Sequence, residues 1–127
     1  MNELRAAAEA ARERAYAPYS GFRVGAALET EDGQIVTGCN IENASFGLTI
    51  CAERSAVASA VSSGQRKFRR LALVSDAPEP IAPCGACRQV LAEFGPTLRV
   101  ESYAGDQLVA WTIAELLPAG FTGDVLR

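Results

Sequence analysis

Two short cysteine motifs carry the chemistry-bearing residues of this chain. The first is Cys51-Ala52-Glu53, and the second is Pro83-Cys84-Gly85-Ala86-Cys87, a C-x-x-C segment some 30 residues further on. The 127 residues include four cysteines and no histidine, so serine–histidine and cysteine–histidine catalysis are both excluded and any metal must be held by thiolates or carboxylates. Cys51, Cys84 and Cys87 would supply three sulfurs to one zinc ion at about 2.3 Å each. Three protein ligands leave the fourth tetrahedral position to water, as in catalytic rather than structural zinc sites. Glu53 stands two residues after a ligand, too close along the chain to chelate beside it. It is well placed to face that water as a general base.

Both motifs sit where a loop turns into a helix. Free amides and the helix dipole at such a terminus favour negative charge, which lowers a thiol's pKa. The pattern of apolar residues and turn signals gives the elements around them. Residues 2–16 show helical spacing, with Leu4, Ala8, Ala11 and Ala15 on one stripe. Pro18-Tyr19-Ser20-Gly21 is a loop, and strands over 22–29 and 34–39 pair as a hairpin across Asp32-Gly33. Residues 40–50 form a loop, 52–63 a buried helix closed by Gly64, and 71–75 an interior strand. A proline-rich loop at 76–83 leads into a helix over 85–94, stopped by Gly95-Pro96. Strands over 98–102 and 108–111 flank Gly105-Asp106. Thr112-Ile113-Ala114-Glu115 is a capping box that opens a last short helix ended by Pro118. Helices interleaved with strands make an α/β layered domain, and the length suits one domain over 1–127.

Composition narrows the partners. Hydrophobic residues make up 49% and charged residues 21%, with a net charge of -3. That balance disfavours a nucleic-acid surface, which needs cations to neutralise phosphates. The basic run Arg66-Lys67-Phe68-Arg69-Arg70 reads as a solvated loop before a strand. No apolar run approaches the roughly 20 residues of a membrane span, and residues 1–15 lack the apolar centre of a secretory signal. A cytoplasmic location is expected, where cysteines serve as ligands or free thiols rather than disulfides.

The combination of C-x-E with P-C-x-x-C resembles the signature of zinc deaminases of nucleobases, in which Cys₃ is one of the ligand sets. Over nearly its whole length the sequence resembles the cytidine deaminase family, specifically its short-chain homotetrameric branch. The resemblance runs through Pro18-Tyr19-Ser20-Gly21-Phe22-Arg23-Val24-Gly25-Ala26-Ala27, Gly38-Cys39-Asn40-Ile41-Glu42-Asn43 and Cys51-Ala52-Glu53-Arg54. It continues in Pro83-Cys84-Gly85-Ala86-Cys87-Arg88-Gln89 and Glu115-Leu116-Leu117-Pro118.

The resemblance implies a three-layer α/β/α sandwich with a mixed five-stranded sheet, one Zn²⁺ per subunit, and deamination of cytidine and 2′-deoxycytidine in pyrimidine salvage. It also implies that Asn40 and Glu42 bond the ribose, that Phe22 packs on the nucleoside, and that the backbone at Ala52 contacts the base. Phe121 of one subunit would stack on the pyrimidine in a neighbour's site within a homotetramer. Glu53 would take a proton from the attacking water, deliver it to ring N3, and carry a second to the leaving amine. Three thiolates on one Zn²⁺ leave a formal charge of about -1. Arg54, which bonds ligand sulfurs in short-chain relatives, would offset that charge, and Arg88 would assist. Two positions depart from the family pattern: Phe46 stands where many relatives carry Tyr, and Arg23 replaces the more usual Pro.

Other readings of the same residues compete. Cys39 as a fourth ligand would make a structural Cys₄ module, although a strand-end cysteine is an ordinary core filler. Cys84 and Cys87 alone would suit a thiol redox protein, which leaves Cys51 and Glu53 unexplained. Within the deaminases, the alternative substrate is a related aminopyrimidine nucleoside such as blasticidin S. Trp111 reads as packing.

Overall fold

A computed structural model describes residues 2–126. The first helix, α1 (Glu3–Arg12), begins where the Asn2 side chain accepts a hydrogen bond from the Arg5 amide. It buries Leu4, Ala8 and Ala11. It is shorter than its apolar stripe suggests because Tyr16 leaves the helix to bridge Ile41, with its amide donating to Asn40 O at 2.9 Å. Tertiary pairing outweighs helical spacing in that last turn.

Strands β1 (Val24–Thr30) and β2 (Ile35–Cys39) form the expected antiparallel hairpin. The turn is built from the Thr30 hydroxyl bonded to Asp32, and Gly33 at φ +88° takes the left-handed conformation that side chains resist. Helix α2 (Ala52–Ser62), strand β3 (Phe68–Ser75), helix α3 (Gly85–Ala92), strands β4 (Arg99–Ala104) and β5 (Gln107–Thr112) and the short helix α4 (Ile113–Leu116) follow. Thr112 and Glu115 close the capping box reciprocally, as their spacing predicts.

The sheet order is β2-β1-β3-β4-β5. Only β3 and β4 run parallel, joined through α3; the other pairs are antiparallel. Alternation then divides the core into two layers. Ala26, Leu28, Leu71, Leu73 and Val100 point toward α2, α3 and α4, whereas Ala27, Ala72, Val74 and Tyr103 point toward α1. This is the three-layer α/β/α sandwich with a mixed five-stranded sheet. Each fully buried leucine of these layers contributes roughly 1.5–3 kcal/mol.

One expectation is overturned. Residues 68–70 of the basic run are not loop but the start of β3, because Arg70 is paired on both sides by Glu29 and Glu101 at 3.1 and 3.3 Å. Phe68 packs inward on Phe94, with ring centroids 4.9 Å apart. Charges with partners can occupy a sheet as readily as apolar residues do.

The helix that carries the first motif is pressed unusually close to the sheet. A Cβ at Gly38 would meet Ala52 O at 2.6 Å and also strike Ala56 N. Gly38 therefore lets the first turn of α2 lie directly on β2.

Candidate active site

Cys51 is the N-cap residue of α2 and Cys84 the N-cap residue of α3, both in extended conformation. Neither thiol bonds its own helix amides, so the sulfurs remain available to a ligand. Cys87 follows in the first turn of α3 and is fully buried. The three sulfurs lie within 4.8 Å of one another, with Cys51 and Cys84 4.0 Å apart. Tetrahedral zinc–sulfur bonds of about 2.3 Å put neighbouring sulfurs about 3.8 Å apart, so the donor set fits one zinc ion. Cys39 is not part of this cluster, which removes the geometric basis for a Cys₄ module.

The sulfurs' protonation reflects their crowding. The Cys51 thiol is held down to about 5, first by a hydrogen bond from Cys87, with Arg54 and Cys84 adding to the effect. Cys87 is pushed the other way by its bond to Cys51, by burial and by the charge of Glu53. One of the trio ionises readily and the next resists, the behaviour of a nest that takes full negative charge only against a cation.

Arg54 lies beside the Cys51 sulfur. Its Nη2 donates to Thr49 O at 3.1 Å and approaches Cys51 Sγ at 3.8 Å. Its Nε is buried without a hydrogen-bond partner among the described residues. Arg88 does something else. Its guanidinium donates to Pro83 O at 2.8 Å and Leu116 O at 3.0 Å, so it anchors the 76–83 loop to α4. Carbonyl groups left over at the end of α4 hold it there.

Glu53 is 5% exposed. Burial raises its carboxyl to about 7, and the nearby Cys51 charge adds to the rise. It lines a cavity of about 220 Å³ together with Cys51, Cys84, Ala52, Asn40 and Thr49. Val24, Ile81 and Ala82 complete the apolar walls. A carboxyl poised between its two protonation states, against an apolar wall and beside a metal-binding nest, is suited to moving protons in both directions.

The segment after β2 carries Asn40 to this cavity and Glu42 to a second one. Ile41 bridges Tyr16 on one flank and Ile50 on the other, which fixes the extended backbone between them. The Asn40 amide group accepts from Val24 N and donates to Phe22 O, both at 2.8 Å, so it also ties Phe22 to the mouth of β1. Glu42 lines a second cavity of about 370 Å³ with Tyr19, Ser20, Phe46 and Thr49. Thr49 is the wall common to both cavities.

Phe22 is 38% exposed at this rim. Phe121 is not brought to either cavity of its own protomer: it is exposed, and its carbonyl accepts from Gln89 Nε2 at 2.8 Å. Arg23, the departure from the family pattern, ion-pairs with Asp76 and Glu13 at 3.0 Å each. Its backbone amide also bonds Asp76. The pairs join the end of α1 to the start of the loop that carries Ile81 and Ala82. Thr49 lies in no motif, Ser20 lies in one without a role attached to it, and only the folded chain brings both to the site.

Residues 2–101 match the family model described as the cytidine and deoxycytidylate deaminase zinc-binding region. The chain is 49% identical over 129 aligned positions to the cytidine deaminase of Sporosarcina psychrophila, covering 99% of this chain and 94% of that one. The crystal structure of cytidine deaminase from Burkholderia pseudomallei superposes with a TM-score of 0.91 at 51% identity, across 95% of this chain and all of that one. The structure of cytidine deaminase from Mycobacterium tuberculosis superposes at 0.82 and 43%, across 93% and 94%.

Proposed function

This chain belongs to the family of zinc-binding cytidine and deoxycytidylate deaminases, and from that premise we propose that it hydrolyses cytidine and 2′-deoxycytidine to uridine and 2′-deoxyuridine. Ammonia is the other product. The reading places one zinc ion per subunit on Cys51, Cys84 and Cys87. The observation that carries it is Glu53, buried beside the sulfur trio and lining the cavity that Cys51 and Cys84 also line.

Zinc at this site supplies a Lewis acid that brings the pKa of water near neutrality. The chain's own residues do the rest. Glu53 accepts a proton from the attacking water and gives it to ring N3 as the water oxygen adds to C4. It then takes the remaining proton of that oxygen and passes it to the amine, which leaves as ammonia while the C4 carbonyl forms. The apolar walls at Val24, Ile81 and Ala82 keep bulk water from competing for these protons. The backbone at Ala52 meets the base, Asn40 and Glu42 meet the sugar, and Phe22 packs on the nucleoside. Arg54 balances the sulfur charge.

The catalytic unit proposed is a homotetramer of single-domain subunits, 1–127, in which Phe121 reaches a neighbouring subunit's site. Its support is a set of exposed large apolar side chains, Tyr16, Leu48 and Phe121 together with Tyr19 and Phe46 at the second cavity. The reading sets this activity in the cytoplasm and in pyrimidine salvage, where thiols stay reduced. Among the described residues no helix is long and apolar enough to cross a membrane. The net charge of -3 supports a free nucleoside rather than a nucleic-acid strand as substrate.

The test is ammonia release by the zinc-loaded protein from cytidine, 2′-deoxycytidine, cytosine, adenosine and blasticidin S. Turnover of the first two is expected. Turnover of blasticidin S alone moves the assignment to that substrate, and no turnover of any of the five overturns it.

A further inference from the structure

We propose that Ser20 is a positioning residue that makes the second cavity selective for a sugar with free hydroxyls, by holding the Glu42 carboxylate as a fixed acceptor; this rests on the nucleoside reading above. An exposed glutamate normally samples many rotamers and presents no fixed geometry to a ligand. Glu42 is exposed but held. Its Oε1 accepts from the amides of Tyr19 at 2.9 Å and Ser20 at 3.1 Å, and its Oε2 accepts from the Ser20 hydroxyl. Among the described residues it has no salt-bridge partner. The turn that supplies these donors depends on Gly21 at φ +69°, with its amide on Ala17 O.

Ser20 reaches further than Glu42. Its Oγ also accepts from the Phe22 amide at 3.0 Å. One hydroxyl therefore links a carboxylate on the segment after β2 to the aromatic residue at the mouth of β1. The two chain segments, 22 positions apart, become a single rim.

The occupant follows from the chemistry of that rim. A base reacting beside Glu53 lies in the smaller cavity, and its sugar extends past Thr49 into the larger one. Glu42 is the ionised group that lines the larger cavity. Donors from Ser20 and Tyr19 also keep its carboxyl below the usual glutamate range. An ionised carboxylate only accepts hydrogen bonds, so it selects a donor, and the donors on a nucleoside sugar are its hydroxyls. With two donors engaging Oε1 and one engaging Oε2, the spare acceptor capacity faces the cavity in one orientation. A fixed acceptor recognises such a group more strongly than one that must first be ordered.

The experiment compares zinc-loaded wild type and Ser20→Ala on cytidine and on 2′,3′-dideoxycytidine, together with the carboxyl titration of Glu42 by NMR. The variant is expected to raise KM for cytidine roughly 5- to 20-fold with kcat within about twofold. For the dideoxy substrate KM should change by less than about twofold, and the Glu42 titration should move up toward the ordinary glutamate value. An equal KM rise for both substrates would show that Ser20 only shapes the turn, and an unchanged KM would show that it does nothing at the site; either overturns the proposal. Wild type that turns over no cytidine defeats the deaminase reading instead, and the NMR arm then decides alone whether Ser20 holds Glu42.

Discussion

Two carboxylates lie almost equally deep on opposite faces of the sheet, Glu53 at 5% exposure on α2 and Glu101 at 6% on β4. Burial opposes ionisation of both. At Glu101 it is outweighed: Arg99 Nε and Tyr103 Oη each donate at 2.8 Å, Arg70 donates at 3.3 Å, and the carboxyl is held below its ordinary value. Tyr103 in turn receives from Asn2, so this carboxylate ties β4 to the cap of α1. Glu53 is surrounded instead by apolar walls and sulfur, and its carboxyl rises to about 7. Similar exposure thus goes with a depressed carboxyl on one face and a raised one on the other. The neighbours decide which.

Substitutions sharpen that contrast. The largest effect is expected from Glu53→Gln, which keeps the shape and removes the titrating group. Ammonia release from cytidine should fall about 100- to 10,000-fold or more while metal analysis still finds one zinc per subunit. Loss of zinc together with activity would make Glu53 a ligand rather than a proton carrier. Arg54→Gln should weaken zinc retention about 10- to 100-fold in chelator competition, because a half-buried cation beside the Cys51 sulfur is gone. An unchanged zinc affinity would leave Arg54 with a packing role only.

Glu101→Gln should leave the turnover of cytidine unaltered and cost about 1–3 kcal/mol of stability at pH 7, read from urea unfolding. Its carboxyl is depressed in the folded state, so the stabilisation is complete above the unfolded-state pKa and disappears as pH falls through the folded one. The gap between wild type and variant should therefore close in acid, below about pH 4. A gap that persists there would mean that the amide fails for a reason other than charge. Smallest of all, Cys39→Ser should retain zinc and activity within experimental scatter, and loss of metal would revive the Cys₄ arrangement.

The contrast between the two carboxylates also explains what could be read from the sequence. Everything local was legible. The C-x-E and P-C-x-x-C motifs, the capping box at Thr112 and Glu115, the stop at Gly64 and the turn at Gly105 depend on residues a few positions apart. So the trio and the neighbouring Glu53 were visible in advance. What stayed hidden depends on partners far along the chain. The early end of α1 needs Ile41, the strand character of residues 68–70 needs Glu29 and Glu101, and the hold on Glu42 needs Ser20. Arg88 follows the same rule, since one of its partners is the carbonyl of Leu116, 28 positions away.

The parallel pairing of β3 with β4 has a consequence for a chain emerging from the ribosome. Cys51 is made 33 positions before Cys84, and β3, made between them, gains its parallel neighbour only after α3 has followed. The first thiol of the trio thus waits without its two partners while at least 33 further residues are made. A complete set of sulfurs, and with it a stable grip on an ion, exists only once α3 has been made.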